Sequence, residues 1–167
     1  MSNHEELVYE EHDELTNEDY LAMESDILRG LLDAARDKDR ETVKIEIARN
    51  GKVYFSFRVR GLTEEEDNAC REQASKYVLN KRTGMKIRDS FNPVKYRSLL
   101  IYHATVEEDR KRLWDNQEAW AKLNVLAGWQ LIDKVLMAGE KDAILAKIEE
   151  LSGFKDENEE IEELKNS

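Results

Sequence analysis

The sequence predicts an α+β fold that is mainly α-helical: a helical domain with one β-hairpin at about residues 42–60 and acidic, partly disordered termini. Three observations carry this prediction. Apolar residues recur at helical spacing over most of the chain. They alternate strictly only in two adjacent stretches. The single proline argues against Pro-rich linkers. We expect one folded domain at residues 17–154, preceded by residues 1–16 and followed by a flexible tail at 155–167.

Charge is distributed unevenly along the 167 residues. The net charge of −11 combines −10 over residues 1–41, +6 over residues 42–106, −3 over residues 107–154 and −4 over residues 155–167. The acidic ends either are solvated flanks of a folded centre or shield that basic centre from nucleic acid until a partner displaces them. Residues 1–16 are acidic and contain few apolar residues, which predicts that they are disordered.

The cellular compartment is indicated by two features. The single cysteine, Cys70, excludes an intramolecular disulfide framework and favours a reducing cytoplasm. We also expect neither a signal peptide nor a membrane span, because no apolar run approaches about 18 residues.

An amphipathic helix is predicted after residue 16. Thr16 or Asn17 can cap its start, and acidic residues follow in the first turn. The helix should end near residues 35–37. Its apolar stripe consists of Tyr20, Met23, Ile27, Leu28, Leu31, Leu32 and Ala34. This stripe belongs either to the core or a self-association surface, or to a partner-binding arm.

A β-hairpin is predicted from two alternating stretches joined at Arg49-Asn50-Gly51. A two-residue loop would place the apolar sets of the two strands on opposite faces. We therefore predict a three-residue loop with Gly51 in a G1 bulge, which pairs Ile47 with Val53. The same register pairs Ile45 with Phe55 and Val43 with Phe57.

The middle of the chain contains two predicted helices. Thr63 and Glu66 form a capping box, and the helix they open buries Cys70, Ala74, Tyr77 and Val78. Cys70 is expected to be a core residue, not a nucleophile. Residues 80–92 are predicted to be a basic, solvated loop. Asn92 and Pro93 open a second helix that ends near Ala104 and buries Tyr96, Leu99, Leu100 and His103.

The C-terminal part predicts further helices. Thr105 and Glu108 offer another capping box. Val125, Trp129, Ile132 and Leu136 then share one helix face, and Gly139 is placed to stop that helix. A last helix carries Ile144, Ile148 and Leu151. It should end at Ser152-Gly153-Phe154 in a Schellman motif, with Phe154 folding back on Ile148 or its neighbours.

No constellation of catalytic residues is visible. His4, His12 and His103 lack metal-ligand spacing, and the sequence has neither a nucleophile elbow nor a glycine fingerprint. We expect no enzyme activity, no catalytic residues, no metal and no cofactor.

Several short motifs in the sequence resemble those of a known family. Leu136-x-x-Gly139-Glu140 followed by Leu151-Ser152-Gly153-Phe154 is similar to the C-terminal signature of XkdN-like phage tail assembly chaperones. Residues 60–66 and 95–100 extend the resemblance, which covers about residues 43–154. The first forty residues are more acidic than the family leads one to expect.

The resemblance implies a chaperone in the cytoplasm of the bacterial host. Such a protein binds the tape measure protein of a phage or prophage tail, keeps it soluble, helps recruit tail tube protein subunits and is absent from the finished virion. Members of the family commonly have a longer form made by ribosomal frameshifting, and Lys165-Asn166 could be encoded by an A-rich slippery run.

The apolar side chains expected to bind partners lie on the hairpin face, on the tryptophan-bearing segment and at the C-terminal stop. They are Phe55, Phe57, Trp114, Trp120, Trp129 and Phe154. A homo-oligomer is a further expectation, and nucleic acid is not expected as a partner.

Two other function classes remain open at this point. A nucleic-acid-binding module is suggested by the basic centre and by aromatic residues on the hairpin, although the net charge of −11 opposes it. An oligomeric scaffold would explain the apolar helix faces without any client.

Overall fold

The computed structural model describes residues 15–37 and 41–154. Over these residues the chain forms seven α-helices and two antiparallel hairpins, which confirms the predicted mainly helical α+β class. By its contacts the chain divides into two units, residues 1–37 and 38–167. The expectations for residues 1–14 and 155–167, including disorder and frameshifting, lie outside the described residues, and the domain boundaries stay a prediction.

Helix α1 spans Asn17–Asp37. The hydroxyl of Thr16 accepts a hydrogen bond from Asp19 N at 3.2 Å, and the Asp19 carboxylate accepts one from Thr16 N at 2.8 Å, so Thr16 is the predicted cap. Every side chain described in α1 is exposed, and Leu31 in the middle of the apolar stripe exposes 64% of its surface. Membership of the core is therefore wrong for this stripe, whereas self-association and partner binding stay predictions.

The first hairpin consists of β1 (Thr42–Arg49) and β2 (Lys52–Arg60). The predicted three-residue loop is wrong, because Arg49 pairs with Lys52 across a two-residue turn. Asn50 and Gly51 both have positive φ, +52° and +77°, as a type I′ turn requires.

A β-bulge in the strand replaces the bulge predicted in the loop. Ala48 pairs with Val53 and Ile47 pairs with Phe55, so that Tyr54 is the extra residue. The shift brings Val43, Ile45 and Ile47 opposite Val59, Phe57 and Phe55, respectively. The two strands therefore share one apolar face, as predicted, but the bulge that aligns them lies at Tyr54 in β2 and not in the loop.

Helix α2 spans Glu64–Gln73 and starts at the predicted capping box, in which Glu66 N and Thr63 N each donate across 3.2 Å. It ends earlier than predicted. Residues predicted to continue its stripe, Tyr77 and Val78, lie exposed in strand β3 (Ser75–Leu79). β3 pairs with β4 (Lys86–Phe91), so the segment predicted to be a loop is a second hairpin.

Helix α3 spans Pro93–Ala104 and is capped as predicted by Asn92, whose side chain accepts from Lys95 N at 3.0 Å. Of its predicted inner face only Leu99 is buried. Tyr96, Leu100 and His103 are half-buried, because the helix is turned so that Ser98, Ile101 and Ala104 face the core.

Helix α4 spans Glu107–Arg112 with Val106 at its N-cap, so the predicted capping box at Thr105 is wrong. The Thr105 hydroxyl is engaged elsewhere. It donates to Ile101 O at 2.7 Å and accepts from Trp114 Nε1 at 3.0 Å. Both groups are buried, and the bond fixes Trp114 within the core.

Three helices complete the chain: α5 (Gln117–Leu123), α6 (Gly128–Val135) and α7 (Ala138–Leu151). The helix predicted to carry Val125 on its buried face begins only at Gly128, because Asn124, with φ +56°, ends α5 and a loop follows. Val125 is nevertheless buried in the following loop. Gly139 does not stop a helix as predicted, since it lies in the first turn of α7.

The end of α7 has the predicted Schellman motif. Gly153 has φ +95°, Gly153 N donates to Glu150 O, and Phe154 N donates to Glu149 O, each at 3.1 Å. The predicted packing of Phe154 on Ile148 is wrong, because the Phe154 side chain is 68% exposed.

The main core lies between the first hairpin and the helices α3, α6 and α7, which contact one another. Its buried apolar side chains are Ile47, Phe57, Val59, Ile101, Ala104, Trp114, Val125, Leu131, Ile132, Leu136, Ile144 and Ile148. A smaller cluster of Cys70, Ala74 and Leu99 joins α2 to α3. No helix in residues 15–37 or 41–154 is long and apolar enough to cross a membrane.

A tight joint connects the segment after β2 with the end of α7. Leu62 N donates to Ser152 Oγ at 2.9 Å, and that hydroxyl donates to Ile148 O at 2.6 Å. A Cβ built on Gly61 would lie 2.5 Å from Leu151 O. Residues 60–66 and 151–154, two of the motifs that carry the family resemblance, are therefore in direct contact.

Candidate functional site

A groove lies between α3, α5 and α6, with a volume of about 300 Å³. Aromatic and aliphatic side chains make up most of its wall, and a few polar groups lie among them. The lining residues are Gln73, Leu99, Tyr102, His103, Asp115, Trp120, Leu126, Ala127, Gly128 and Trp129. Such a concave, mostly apolar lining suits an apolar group of another molecule.

Gly128 lets α6 begin directly against the ring of Tyr102. A Cβ at this position would overlap the ring and lie 3.1 Å from Trp114 O. Tyr102 is held from its other end, since its hydroxyl donates to Asp115 Oδ1 at 2.8 Å. Burial, reinforced by this bond to Asp115, raises the pKa of Tyr102, so that the phenol stays protonated at neutral pH.

Trp120 is also fixed by a hydrogen bond. Its Nε1 donates to Trp114 O at 2.7 Å, which turns the indole ring into the groove wall. Trp129, on the first turn of α6, is half-buried, and Lys95 Nζ lies 5.1 Å from the centroid of its ring. Both tryptophans therefore line the groove, Trp120 in an orientation that its hydrogen bond fixes and Trp129 with a cation beside its ring.

Leu126 is the most exposed large apolar residue at this site, with 86% of its surface accessible. It lies in the loop between α5 and α6, where its N–H donates to Gln130 Oε1 at 2.7 Å. A leucine this exposed costs little stability when it is replaced, and it adds apolar surface to the groove that a partner can cover.

The structure separates the six side chains predicted to bind partners. Trp120 and Trp129 share the groove. Phe57 and Trp114 are buried in the core, where their ring centroids are 5.2 Å apart, and Phe55 is half-buried beside them. Phe154 lies exposed at the end of α7. Leu126 was missed, because the periodic pattern placed it in a helix with Val125 and Trp129, whereas it lies in the loop before α6.

Burial shifts the pKa of two further side chains at or beside the groove, His103 and Cys70. Desolvation lowers the pKa of His103, so that the imidazole is neutral at pH 7. Burial raises the pKa of the Cys70 thiol to about 11. Among residues 15–37 and 41–154, no group of three or more His, Cys, Asp or Glu side chains could hold a metal ion.

Three arginines of the basic centre contribute to the fold. Arg49 contacts Glu140 at 2.6 Å and donates to Val135 O at 2.7 Å, which attaches the hairpin end to α6 and α7. Arg58 contacts Asp109 at 3.2 Å, and Arg60 contacts Glu66 at 2.6 Å. These carboxylates already neutralise cations that the nucleic-acid interpretation would assign to phosphate.

Comparison with known proteins gives one family. No curated protein matches the sequence. A crystal structure of the protein YqbN is similar at 15% identity and a TM-score of 0.44, over 70% of this chain and 88% of that chain. The model of the family described as phage XkdN-like tail assembly chaperone protein matches residues 28–165, which includes both the groove and the Gly61–Ser152 joint. The chain therefore belongs to the XkdN-like phage tail assembly chaperone family.

Proposed function

We propose that this chaperone binds the tape measure protein of its phage or prophage, keeps it soluble in the host cytoplasm and helps recruit tail tube subunits. It leaves before the virion is complete. The observation that carries the proposal is the groove between α3, α5 and α6, with the exposed Leu126 beside it. The client is expected to be a long helical protein, and the groove would accept one or two apolar side chains from such a helix.

The size of the groove suits reversible binding. A volume of about 300 Å³ is at the lower end for ligand sites, so a single contact would be weak. Many chaperone copies on one long client would together bind strongly through avidity, and each copy could still leave when the tube grows. The net charge of −11 would keep the coated client soluble.

The experiment is co-expression with the tape measure protein encoded in the same phage genome. We expect the soluble yield of the tape measure protein to rise with the wild-type chain and to fall back with Leu126→Glu. Val53→Glu is the matched control, because Val53 is also exposed, at 54%, but does not line the groove. If the wild-type chain does not change the soluble yield of the tape measure protein, the proposed function is refuted. If both variants raise that yield equally, the groove is refuted as the site.

Recruitment of tube subunits needs its own measurement. Purified complex of chaperone and client should co-sediment with tail tube protein, and tube polymerisation should return the chaperone to the supernatant. Mass spectrometry of finished virions should then find the tape measure and tube proteins without the chaperone. Light scattering of the isolated chain would test the expected homo-oligomer.

A further inference from the structure

We propose that α1 is a docking strip for a basic amphipathic helix of the client polypeptide. The inference rests on the proposed function in taking the client as the partner, but it concerns a different surface from the groove. It is carried by two observations on α1 itself: an apolar stripe that is exposed along the whole helix, and a charge pattern that selects the sign of the partner.

The apolar stripe is large for an exposed surface. Seven side chains of α1 expose between 50% and 65% of their surface: Tyr20, Leu21, Met23, Ile27, Leu28, Leu31 and Leu32. Each of these side chains exposes on the order of 100 Å² of apolar surface. If a partner helix loses a similar area, the surface buried on the two helices together is on the order of 1,200 Å², which is the lower limit for specific interfaces.

Most of the stability of a helix in a protein comes from packing of its apolar face, which in the 21-residue α1 is exposed. Gly30 in its middle weakens it further relative to alanine. Docking of a second helix along the stripe would supply this packing and offset the cost of Gly30, because it buries the apolar side chains of α1.

The charge of α1 favours a basic partner. Its sequence contains six acidic and two basic residues, and one of the two cations, Arg29, already contacts Asp26 at 3.8 Å. Glu24 lies one turn after Tyr20 and one turn before Leu28, so it falls within the face that the partner must cover. A lysine or arginine of the partner opposite Glu24 would satisfy this carboxylate and fix the register of the pair.

The same charges disfavour a second copy of this chain as the occupant. Two copies of α1 would bring twelve acidic residues together against four basic ones. Repulsion between like charges disfavours such a pair of helices, whereas each acidic residue of α1 would attract a basic partner helix.

The test uses the full chain and two labelled synthetic peptides of the length of α1. Both peptides carry leucine at helical spacing, and the remaining positions are lysine in one and glutamate in the other. Fluorescence anisotropy at physiological salt should show at least tenfold tighter binding of the lysine peptide. Ile27→Ala should weaken that binding about tenfold, because it removes most of one buried side chain without lowering helix propensity.

Ala22→Ser is the matched control, because no residue of the stripe lies three or four positions from Ala22, which is on the opposite side of the helix. It should leave binding of the lysine peptide unchanged. Equal binding of the two peptides, or equal effects of the two substitutions, would overturn the proposal. So would light scattering that shows α1-dependent dimers which Ile27→Ala dissociates, because the occupant would then be a second copy.

Co-expression separates this inference from the proposed function. If the wild-type chain raises the soluble yield of the tape measure protein and Ile27→Ala does so equally, the function stands and the docking strip is wrong. If the wild-type chain has no effect on yield while the lysine peptide still binds through Ile27, the proposed function fails and the chemistry inferred for α1 stands.

Discussion

Gly61→Ala tests the joint between the segment after β2 and the end of α7. The new methyl group would lie 2.5 Å from Leu151 O, 2.7 Å from Leu151 C and 2.9 Å from Ser152 N. All three are backbone atoms, so no side-chain rotation can relieve the overlap. The end of α7 must move away, and overpacking of this kind costs about 1–3 kcal/mol.

The movement also endangers the hydrogen bond from Leu62 N to Ser152 Oγ, which is 2.9 Å long. Loss of a part-buried bond adds about 1 kcal/mol, so we expect the free energy of unfolding to fall by roughly 2–4 kcal/mol. For a domain of this size the melting temperature should drop by roughly 8–16 °C.

Urea denaturation followed by circular dichroism measures this change directly. Gly139→Ala is the matched control, because that glycine lies in the first turn of α7 with no atom within 4 Å of an added Cβ. It should raise stability by about 0.5–1 kcal/mol through the lower entropy of the unfolded chain. An unchanged urea midpoint for Gly61→Ala would show that the joint is loose and would refute the reasoning.

Three further predictions concern single side chains. The Arg60 guanidinium lowers the pKa of Glu66 from 4.5 to about 2, so this carboxylate stabilises the fold above pH 4.5 and loses that contribution as the pH falls towards 2; urea midpoints measured over this range should fall less steeply in Glu66→Gln. The thiol of Cys70, with a pKa of about 11, should react with a disulfide reagent at pH 8 only at the rate of unfolding, and rapid labelling of the native protein would contradict its burial. Trp114→Phe removes the bond to Thr105 and leaves a gap in the core, so stability should fall by about 1–3 kcal/mol in urea denaturation, whereas an unchanged midpoint would count against that bond.

Short-range signals in the sequence predicted local structure well. The caps at Thr16, Thr63 and Asn92 and the Schellman motif at Gly153 depend on residues within one or two turns, and the structure confirms each of them. The hairpin loop failed for a physical reason. A bulge in the loop and a bulge at Tyr54 both align the apolar faces, and the pattern of residues does not distinguish them.

Helix continuity was harder to predict than helix existence. Tyr77 continues the helical spacing of Cys70 and Ala74, yet the chain leaves α2 at Gln73 because strand β3 finds a partner in β4. The later helix begins at Gly128 and not at Val125, because Asn124 adopts a left-handed conformation that ends α5 and a loop follows. Each outcome depends on contacts with distant segments, which override local propensity.

The candidate site was partly predictable. Hydrophobicity identified Trp120 and Trp129, which line the groove, but it also selected Phe57 and Trp114, which are buried in the core. Periodicity reports that a side chain is apolar and on one face. It does not report whether the covering surface belongs to the same chain or to another.

The contact between Leu62 and Ser152 has a consequence during translation. Its two residues are separated by 90 positions, and the hairpin core is covered only when Ile144 and Ile148 arrive. At bacterial synthesis rates of about 5–20 residues per second, the apolar face of the first hairpin therefore waits on the order of 5–20 seconds on the ribosome before the chain can close over it. A nascent chaperone thus spends its own synthesis in the aggregation-prone condition from which it is proposed to protect its client.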